Sequence, residues 1–254
     1  MSSIELIDVS LDYLIKTGTA SLKQTLLSLF TPSKNKHIKI NNSKFRALNG
    51  INLKINKGDR VGLLGQNGAG KSTLLRAIAK IYAPTSGTLH INGEISNLFD
   101  VNLGLNVEAT GYENILNLAI MRGWSKKDAY SIVEDIESFT ELGDFLNKPV
   151  CTYSTGMQMK LVFAVATARP PEIVLIDEII GAGDARFMKK ATQRIEDMVN
   201  KSHILVLTSH SNEIIQRFCN KVAILEKGQI IFFGDVAEGI ETYQASLNQP
   251  SKAS

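Results

Sequence analysis

The chain has 254 residues, of which 44% are hydrophobic and 21% are charged, and its formal net charge is +3. This composition supports a substantial apolar core and either one large domain or two small ones. No apolar run approaches the roughly 20 residues that a membrane-spanning helix needs, and the start of the chain lacks the apolar stretch of a secretory signal. The two cysteines, Cys151 and Cys219, are far apart and have no metal-type spacing, which favours a reduced cytoplasmic compartment. We therefore expect any membrane role to depend on a partner.

Positive charge is concentrated in one part of the chain. No acidic residue occurs between Asp12 and Asp59. The basic residues in this interval are Lys16, Lys23, Lys34, Lys36, Lys39, Lys44, Arg46, Lys54 and Lys57. The pattern fits a solvated basic face, and it also fits contact with an anionic group such as a lipid headgroup or a phosphorylated ligand.

In chain order, the first predicted elements are two strands, at residues 4–9 and 51–55. Apolar and polar residues alternate in the second of them, which is typical of a half-buried strand. A segment that looks inserted lies between them, with a Leu-rich short helix at 21–30 and a polar, basic stretch at 32–44. A short apolar strand at 60–64 then leads into a glycine-rich turn. Leu74, Leu75, Ile78 and Ile81 follow at helical spacing.

The next predicted elements are helices and then strands again. From about 97 to 159 the pattern is helical, most clearly at 112–121 and 126–139, and a further helical run covers 158–169. Apolar strands return at 173–176, 204–207 and 222–225, and a tight turn then leads to 230–233, which predicts a terminal hairpin. Short apolar strands that alternate with helices indicate a parallel sheet covered on both faces.

The glycine-rich turn fits the pattern of a phosphate-binding loop, G-x-x-x-x-G-K-[ST], and it has the required strand before it and helix after it. The loop and its first helical residues are Gly65, Gln66, Asn67, Gly68, Ala69, Gly70, Lys71, Ser72 and Thr73. The glycines let backbone N–H groups converge on phosphate oxygens, and the helix start adds its positive end. We expect Lys71 to reach the β- and γ-phosphates, Ser72 to bind Mg²⁺ and Thr73 to donate near the α-phosphate.

Two acidic residues, Asp177 and Glu178, follow the apolar strand at 173–176. The carboxyl ends of strands are where ligands bind in open α/β sheets. We expect Asp177 to hold Mg²⁺ through water and Glu178 to polarise the water that attacks the γ-phosphate. The catalytic residues predicted in this way are Glu178 and Lys71.

A further motif, Tyr153-Ser-Thr-Gly-Met157, precedes this strand and opens a helical run. Together with the phosphate loop and the acidic strand end, it makes the chain resemble the ATPases of ABC transporters, whose signature motif has the same Ser-x-Gly core. The resemblance implies that Ser154 and Gly156 close over ATP bound to the opposite subunit. Thr155 and Met157 depart from the common form of that motif.

The resemblance also gives roles to residues outside these motifs. It implies that His210, after the strand at 204–207, contacts the γ-phosphate as a third catalytic residue. The resemblance also places Asp184 in a loop that crosses the dimer interface. Tyr13 matches the aromatic residue that stacks on adenine, and Phe45 is a second candidate for that role.

The fold and assembly that the resemblance implies are those of an α/β, P-loop NTPase ABC cassette. Its RecA-like core is accompanied by an antiparallel β subdomain and an inserted helical subdomain at about 97–160, within a single domain of residues 1–254 that also holds the basic insertion at about 16–44. The expected cofactors are ATP and Mg²⁺. The expected partners are a second copy of the chain and a membrane-spanning permease at the cytoplasmic face of the inner membrane. No nucleic acid is expected, because the long coiled-coil insertions and the second cassette of other ABC ATPases are lacking.

Several segments are similar to the ATPases that export O-antigen, capsule and teichoic acid. They are residues 110–114, 141–145, 153–157, 163–167 and 176–184, together with the insertion between Tyr13 and Phe45. This similarity predicts export of a lipid-linked polysaccharide, and an ABC transporter for another substrate is the alternative. The stretch 97–104 lacks the glutamine that most relatives carry there, for which Asp100 or Asn102 could substitute. The carbohydrate-binding domain of some O-antigen exporters is not expected here.

Overall fold

The computed structural model describes residues 1–17, 41–98, 104–177, 185–209 and 211–248. The strands are β1 (Ser3–Thr17), β2 (Asn41–Asn56), β3 (Arg60–Leu64), β4 (Ser86–Asn92), β5 (Ile95–Asn97), β6 (Ile173–Asp177), β7 (Ile204–Thr208), β8 (Lys221–Glu226) and β9 (Gln229–Asp235). The α-helices are α1 (Lys71–Ile78), α2 (Gly111–Met121), α3 (Lys126–Ser131), α4 (Val133–Thr140), α5 (Thr155–Ala166), α6 (Ala185–Lys201), α7 (Asn212–Phe218) and α8 (Val236–Asn248). Two short 3₁₀ helices, Gly143–Asn147 and Val150–Thr152, lie between α4 and α5.

In the described part of the chain, the larger sheet has six strands in the order β5-β6-β7-β3-β8-β9. The first five run parallel, and β9 returns antiparallel to β8 through a tight turn. The apolar residues of β6 and β7 are fully buried, which is why these strands appear in the sequence as continuous apolar runs. The predicted parallel sheet and terminal hairpin are therefore both confirmed.

A smaller antiparallel sheet has the order β2-β1-β4 and forms the predicted antiparallel subdomain. The strands predicted at 4–9 and 51–55 are much longer than their alternating patterns, because β1 and β2 remain paired as far as Thr17 and Asn41. The ends of the basic insertion predicted at 16–44 therefore belong to this two-stranded ribbon. Residues 18–40, with the predicted helix at 21–30 and Lys34, Lys36 and Lys39, lie outside the described residues.

The inserted region is helical, but the predicted helix at 126–139 is interrupted. Ile132 ends α3 and precedes α4 with a φ of −93° and a ψ of −9°. Its side chain is only 5% exposed, so the break places an apolar residue in the core. The helix predicted at 158–169 is displaced: α5 begins at Thr155, because the Ser154 hydroxyl caps it, and ends at Ala166.

The described core consists of two apolar clusters. One apolar cluster fills the space between the larger sheet and helices α2 to α8. The other lies between the two sheets and includes the buried face of α1. Leu64, which ends β3, belongs to the first cluster, whereas Ala69, just before α1, belongs to the second. Within the described ranges, no helix is both long and apolar enough to cross a membrane.

Candidate functional site

The loop between β3 and α1 is closely packed against neighbouring backbone. Gly65 has a φ of 148°, and a Cβ there would lie 2.4 Å from the Leu225 carbonyl oxygen. Gly70 has a φ of 108°, and a Cβ there would lie 2.8 Å from the carbonyl oxygen of Ala47. Only glycine fits both the backbone angles and the space at these two positions. The glycine spacing seen in the sequence therefore has a steric cause in the fold.

The start of α1 offers a positive site beside this loop. The helix has no side-chain cap and no acidic residue in its first turn, so no local carboxylate competes for its N–H groups. The Lys71 ammonium group donates to the carbonyl oxygens of Gly65 at 2.6 Å and Gln66 at 3.1 Å, which holds its charge over the loop. This arrangement suits an anion with several oxygens, such as a phosphate chain.

A cavity joins the loop to the small sheet and to the ends of two central strands. Its lining consists of Tyr13, Phe45, Ala47, Asn67, Gly68, Gly70, Lys71, Ser72, Thr73, Asp177 and Thr208. The structure therefore brings together the phosphate loop, one predicted metal ligand from α1, another from β6, and both candidate aromatic residues. Of the predicted loop residues, Gly65, Gln66 and Ala69 belong to the same turn but do not line this cavity.

Thr208 is a site residue to which the sequence analysis gave no role. It ends β7 and is the direct partner of Asp177 on β6. Its hydroxyl donates to Asp177 Oδ1 over 2.6 Å, which fixes the carboxylate in the cavity. The signal that could have identified Thr208 is its position as the first polar residue after an apolar strand that neighbours β6.

The oxygen atoms in this cavity fit a magnesium ion. Ser72 and Asp177 line the same space, and Asp177 accepts a hydrogen bond from the Thr208 hydroxyl through Oδ1. Magnesium binds few protein oxygens and keeps several waters. Among the described residues, no group of three or more His, Cys, Asp or Glu side chains is placed to hold a metal ion.

The two candidate aromatic residues lie side by side. Tyr13 and Phe45 are direct partners on β1 and β2, so their side chains share one face of the small sheet. The Tyr13 hydroxyl is 3.2 Å from the Thr73 hydroxyl, and its ring meets the ring of Tyr82 edge-on. Phe45 is 52% exposed.

The Ser154 motif lies at an exposed helix start. The Ser154 hydroxyl accepts a hydrogen bond from the Met157 N–H at 3.3 Å, and Gly156 lies in the first turn of α5. The preceding Tyr153 is buried and donates to the Phe145 carbonyl oxygen at 2.6 Å, which fixes the approach to the helix. Neither Ser154 nor Gly156 lines the cavity described above.

Three predicted site residues, Glu178, Asp184 and His210, lie outside the described residues, as do Asp100 and Asn102. Glu178 follows Asp177 directly in the chain, and His210 comes two residues after Thr208. Their roles remain predictions.

Comparison with known proteins agrees with this geometry. The family model described as ABC transporter matches residues 48–181. The chain is 48% identical over 184 residues to the O-antigen export system ATP-binding protein RfbE of Yersinia enterocolitica, covering 72% of this chain and 77% of that protein. It is 37% identical over 204 residues to the teichoic acids export ATP-binding protein TagH of Shouchella clausii, covering 80% of this chain and 56% of that protein.

Longer relatives and solved structures complete the comparison. The chain is 42% identical over 206 residues to the O-antigen export system ATP-binding protein RfbB of Myxococcus xanthus. The match covers 81% of this chain and 47% of that protein, so the chain spans about half of this relative. A dimeric post-hydrolysis structure of the ATP-binding cassette MJ0796 with ADP and Pi shares the fold, with a TM-score of 0.64 and 22% identity over 92% of this chain and 98% of that one.

The phosphate loop, the acidic strand end and these matches together have one explanation: the chain belongs to the ABC transporter family and is one of its ATP-binding, ATP-hydrolysing cassettes.

Proposed function

We propose that this chain is the ATP-hydrolysing subunit of an exporter that moves a lipid-linked polysaccharide across the cytoplasmic membrane. The observation that carries the proposal is the 48% identity to an O-antigen export ATP-binding protein over 184 residues. A lower but extended similarity to teichoic acids export proteins supports the same class of substrate. In this proposal the chain acts as a peripheral protein at the cytoplasmic face of the membrane.

The geometry supports specific roles in ATP binding. Lys71 lies over the phosphate loop, where its ammonium group can exchange the carbonyls of Gly65 and Gln66 for phosphate oxygens. Ser72 and Asp177 would hold a magnesium ion, which supplies charge neutralisation at the β- and γ-phosphates when bound. Thr73 lies beside them and would donate to the α-phosphate. Glu178 would orient the attacking water, and His210 would contact the γ-phosphate.

The second half of the site would come from another copy of the chain. Ser154 and Gly156 lie at the start of a helix whose exposed N-terminus does not line the cavity of its own subunit's phosphate loop. A helix start of this kind stabilises an anion. In a head-to-tail pair, each Ser154 motif would close over the nucleotide held by the other copy, and Asp184 would lie at the same interface.

A groove between the helical region and the larger sheet suits a membrane partner. Its lining consists of Ala79, Glu94, Ile95, Ser96, Asn97, Met121, Arg122, Trp124, Arg169 and Pro171. Met121 is 67% exposed and the adjacent Ile120 is 45% exposed, so two large apolar side chains reach the surface at this end of α2. We therefore expect a permease segment to dock here. Cross-links from a cysteine at Met121 that never reach the permease would exclude this surface.

The proposal is tested in cells from which the gene has been deleted. Restoring the wild-type chain should restore surface polysaccharide, whereas Lys71→Ala should not, because that change removes the charge-assisted contact to phosphate. Lys201→Ala is the matched control, since Lys201 is exposed in the last turn of α6, away from the cavity. Normal surface polysaccharide in the deletion strain, or full restoration by Lys71→Ala, would contradict the proposed function.

A further inference from the structure

Glu141 lies at the end of α4 in a backbone conformation that favours glycine. Its φ is 55° and its ψ is 32°, which is the left-handed region. The Glu141 N–H donates to the Glu137 carbonyl oxygen at 3.1 Å, so the residue closes the last turn of the helix. Helices commonly end with glycine in this conformation, because a side chain is strained there. A glutamate at such a position indicates a role for its carboxylate.

The Glu141 carboxylate binds two basic residues near the start of α6. Glu141 Oε1 accepts hydrogen bonds from Lys190 Nζ and from Arg186 Nη2, the second over 3.4 Å. The Lys190 hydrogen bond and the charge of Arg186 lower the pKa of Glu141, so the carboxylate is ionised at neutral pH. The Glu141 side chain is 48% exposed, and exposed ion pairs contribute little to the free energy of unfolding. Stability alone therefore does not explain a strained glutamate here.

The contact joins two elements that lead to the proposed interface between copies. Helix α4 packs against α5, which begins at the Ser154 motif, and the rings of Phe139 and Phe163 stack between them with centroids 5.9 Å apart. Helix α6 directly follows Asp184 in the chain. Glu141 therefore links the helix pair behind the Ser154 motif to the helix that comes after the acidic strand end.

We propose that Glu141 is a positioning residue: by holding the start of α6, it sets the place of the Ser154 motif relative to Asp184. This inference rests on the proposed two-copy site, in which Ser154 and Asp184 both lie at the interface. Glu141, Arg186 and Lys190 do not line the cavity of the phosphate loop. Loss of the contact should therefore weaken the pairing of two copies and leave ATP binding to one copy intact.

Glu141→Gly separates this role from a purely structural one. The change removes the carboxylate and also relieves the left-handed backbone, so the midpoint of urea denaturation should equal or exceed that of the wild type. In a chain that also carries Glu178→Gln, we expect Glu141→Gly to raise the ATP concentration for half-maximal pairing about fivefold, the upper end of what an exposed ion pair contributes. Light scattering in the presence of Mg²⁺ measures this concentration.

Two controls accompany this variant. When Ser154→Arg is added to keep the chain monomeric, Glu141→Gly should change ATP binding less than about twofold, since no phosphate contact is altered. Lys80→Gly is the matched control for the backbone. Exposed Lys80 also has a left-handed conformation, with a φ of 60°, but it lies just beyond α1 and not at the junction of α4 and α6. It should leave pairing unchanged.

Substitutions on α6 test whether Glu141 acts through its two partners. Arg186→Met together with Lys190→Met should weaken pairing as much as Glu141→Gly does, and adding Glu141→Gly should weaken it no further. Pairing of the Glu141→Gly variant at the ATP concentration of its parent would overturn the inference, and so would fully additive effects. Weaker pairing with a lowered urea midpoint would show that Glu141 only supports the fold. If Glu178→Gln alone failed to pair in ATP, the two-copy site itself would be wrong, and this inference with it.

Discussion

At the scale of single residues, one hydrogen bond joins the side chains at the ends of β6 and β7. Thr208 donates to Asp177 Oδ1 over 2.6 Å, and both residues line the cavity. A group that orients a metal ligand typically changes metal affinity 10–100-fold when it is removed. We therefore expect Thr208 to influence magnesium binding through Asp177, without contacting the ion.

Thr208→Val keeps the size and branching of the side chain but removes the donor. We expect the Mg²⁺ concentration for half-maximal ATP hydrolysis to rise about tenfold, because the Asp177 carboxylate is no longer fixed. Thr208→Ser should restore most of the wild-type response. Thr192→Val is the control, since it removes a hydroxyl that donates within α6, to the Met188 carbonyl oxygen. An unchanged Mg²⁺ response in Thr208→Val would show that Asp177 needs no such support.

At the scale of elements, three helices are joined around one aromatic cluster. Phe139 on α4, Phe163 on α5 and Phe187 on α6 have ring centroids 5.6 to 5.9 Å apart. Arg194 on α6 covers this cluster, with its guanidinium 4.4 Å from the Phe139 ring centre. The same group binds Asp135 on α4, with one contact of 3.1 Å. The helix with the Ser154 motif is thereby packed against the helix that follows the acidic strand end.

Arg194→Met tests how much the contacts of Arg194 with Phe139 and Asp135 contribute to the free energy of unfolding. The Arg194 side chain is only 15% exposed, so we expect the change to lower the free energy of unfolding by about 1.5 kcal/mol through loss of the cation–π and hydrogen-bond contacts. Arg217→Met is the matched control, because Arg217 pairs with Glu196 but is 62% exposed. That change should cost less than about 0.5 kcal/mol. Equal losses in urea denaturation would contradict a special role for Arg194.

The elements also show how far sequence reasoning extends. The phosphate loop, Asp177 and the parallel strands were predictable, because each depends on a local pattern: glycine spacing, or an apolar run that ends in a carboxylate. The break at Ile132 was not, since it depends on how α3 and α4 pack against the core. Local sequence patterns also do not show that Tyr13 pairs with Phe45 or that Asp177 pairs with Thr208. Both pairs are set by strand register, which joins residues more than thirty positions apart.

At the scale of the whole molecule, one subunit holds only part of the proposed site. Lys71, Ser72 and Asp177 line one cavity, while Ser154 lies at an exposed helix start outside it. We propose that ATP joins these parts by closing two copies on one another. Glu178 is the proposed base, so Glu178→Gln should bind ATP but hydrolyse it about 100-fold more slowly, the usual contribution of a general base.

ATP-dependent pairing is tested by the mass of Glu178→Gln in solution, measured by light scattering with and without ATP and Mg²⁺. We expect twice the monomer mass with ATP and the monomer mass without it, because slow hydrolysis leaves the nucleotide between the two copies. Adding Ser154→Arg should keep the protein monomeric in ATP, whereas Ser125→Arg, which changes the capping serine of α3, should not. A Glu178→Gln protein that binds ATP and remains a monomer, or a dimer that Ser154→Arg leaves intact, would contradict closure of two copies on ATP.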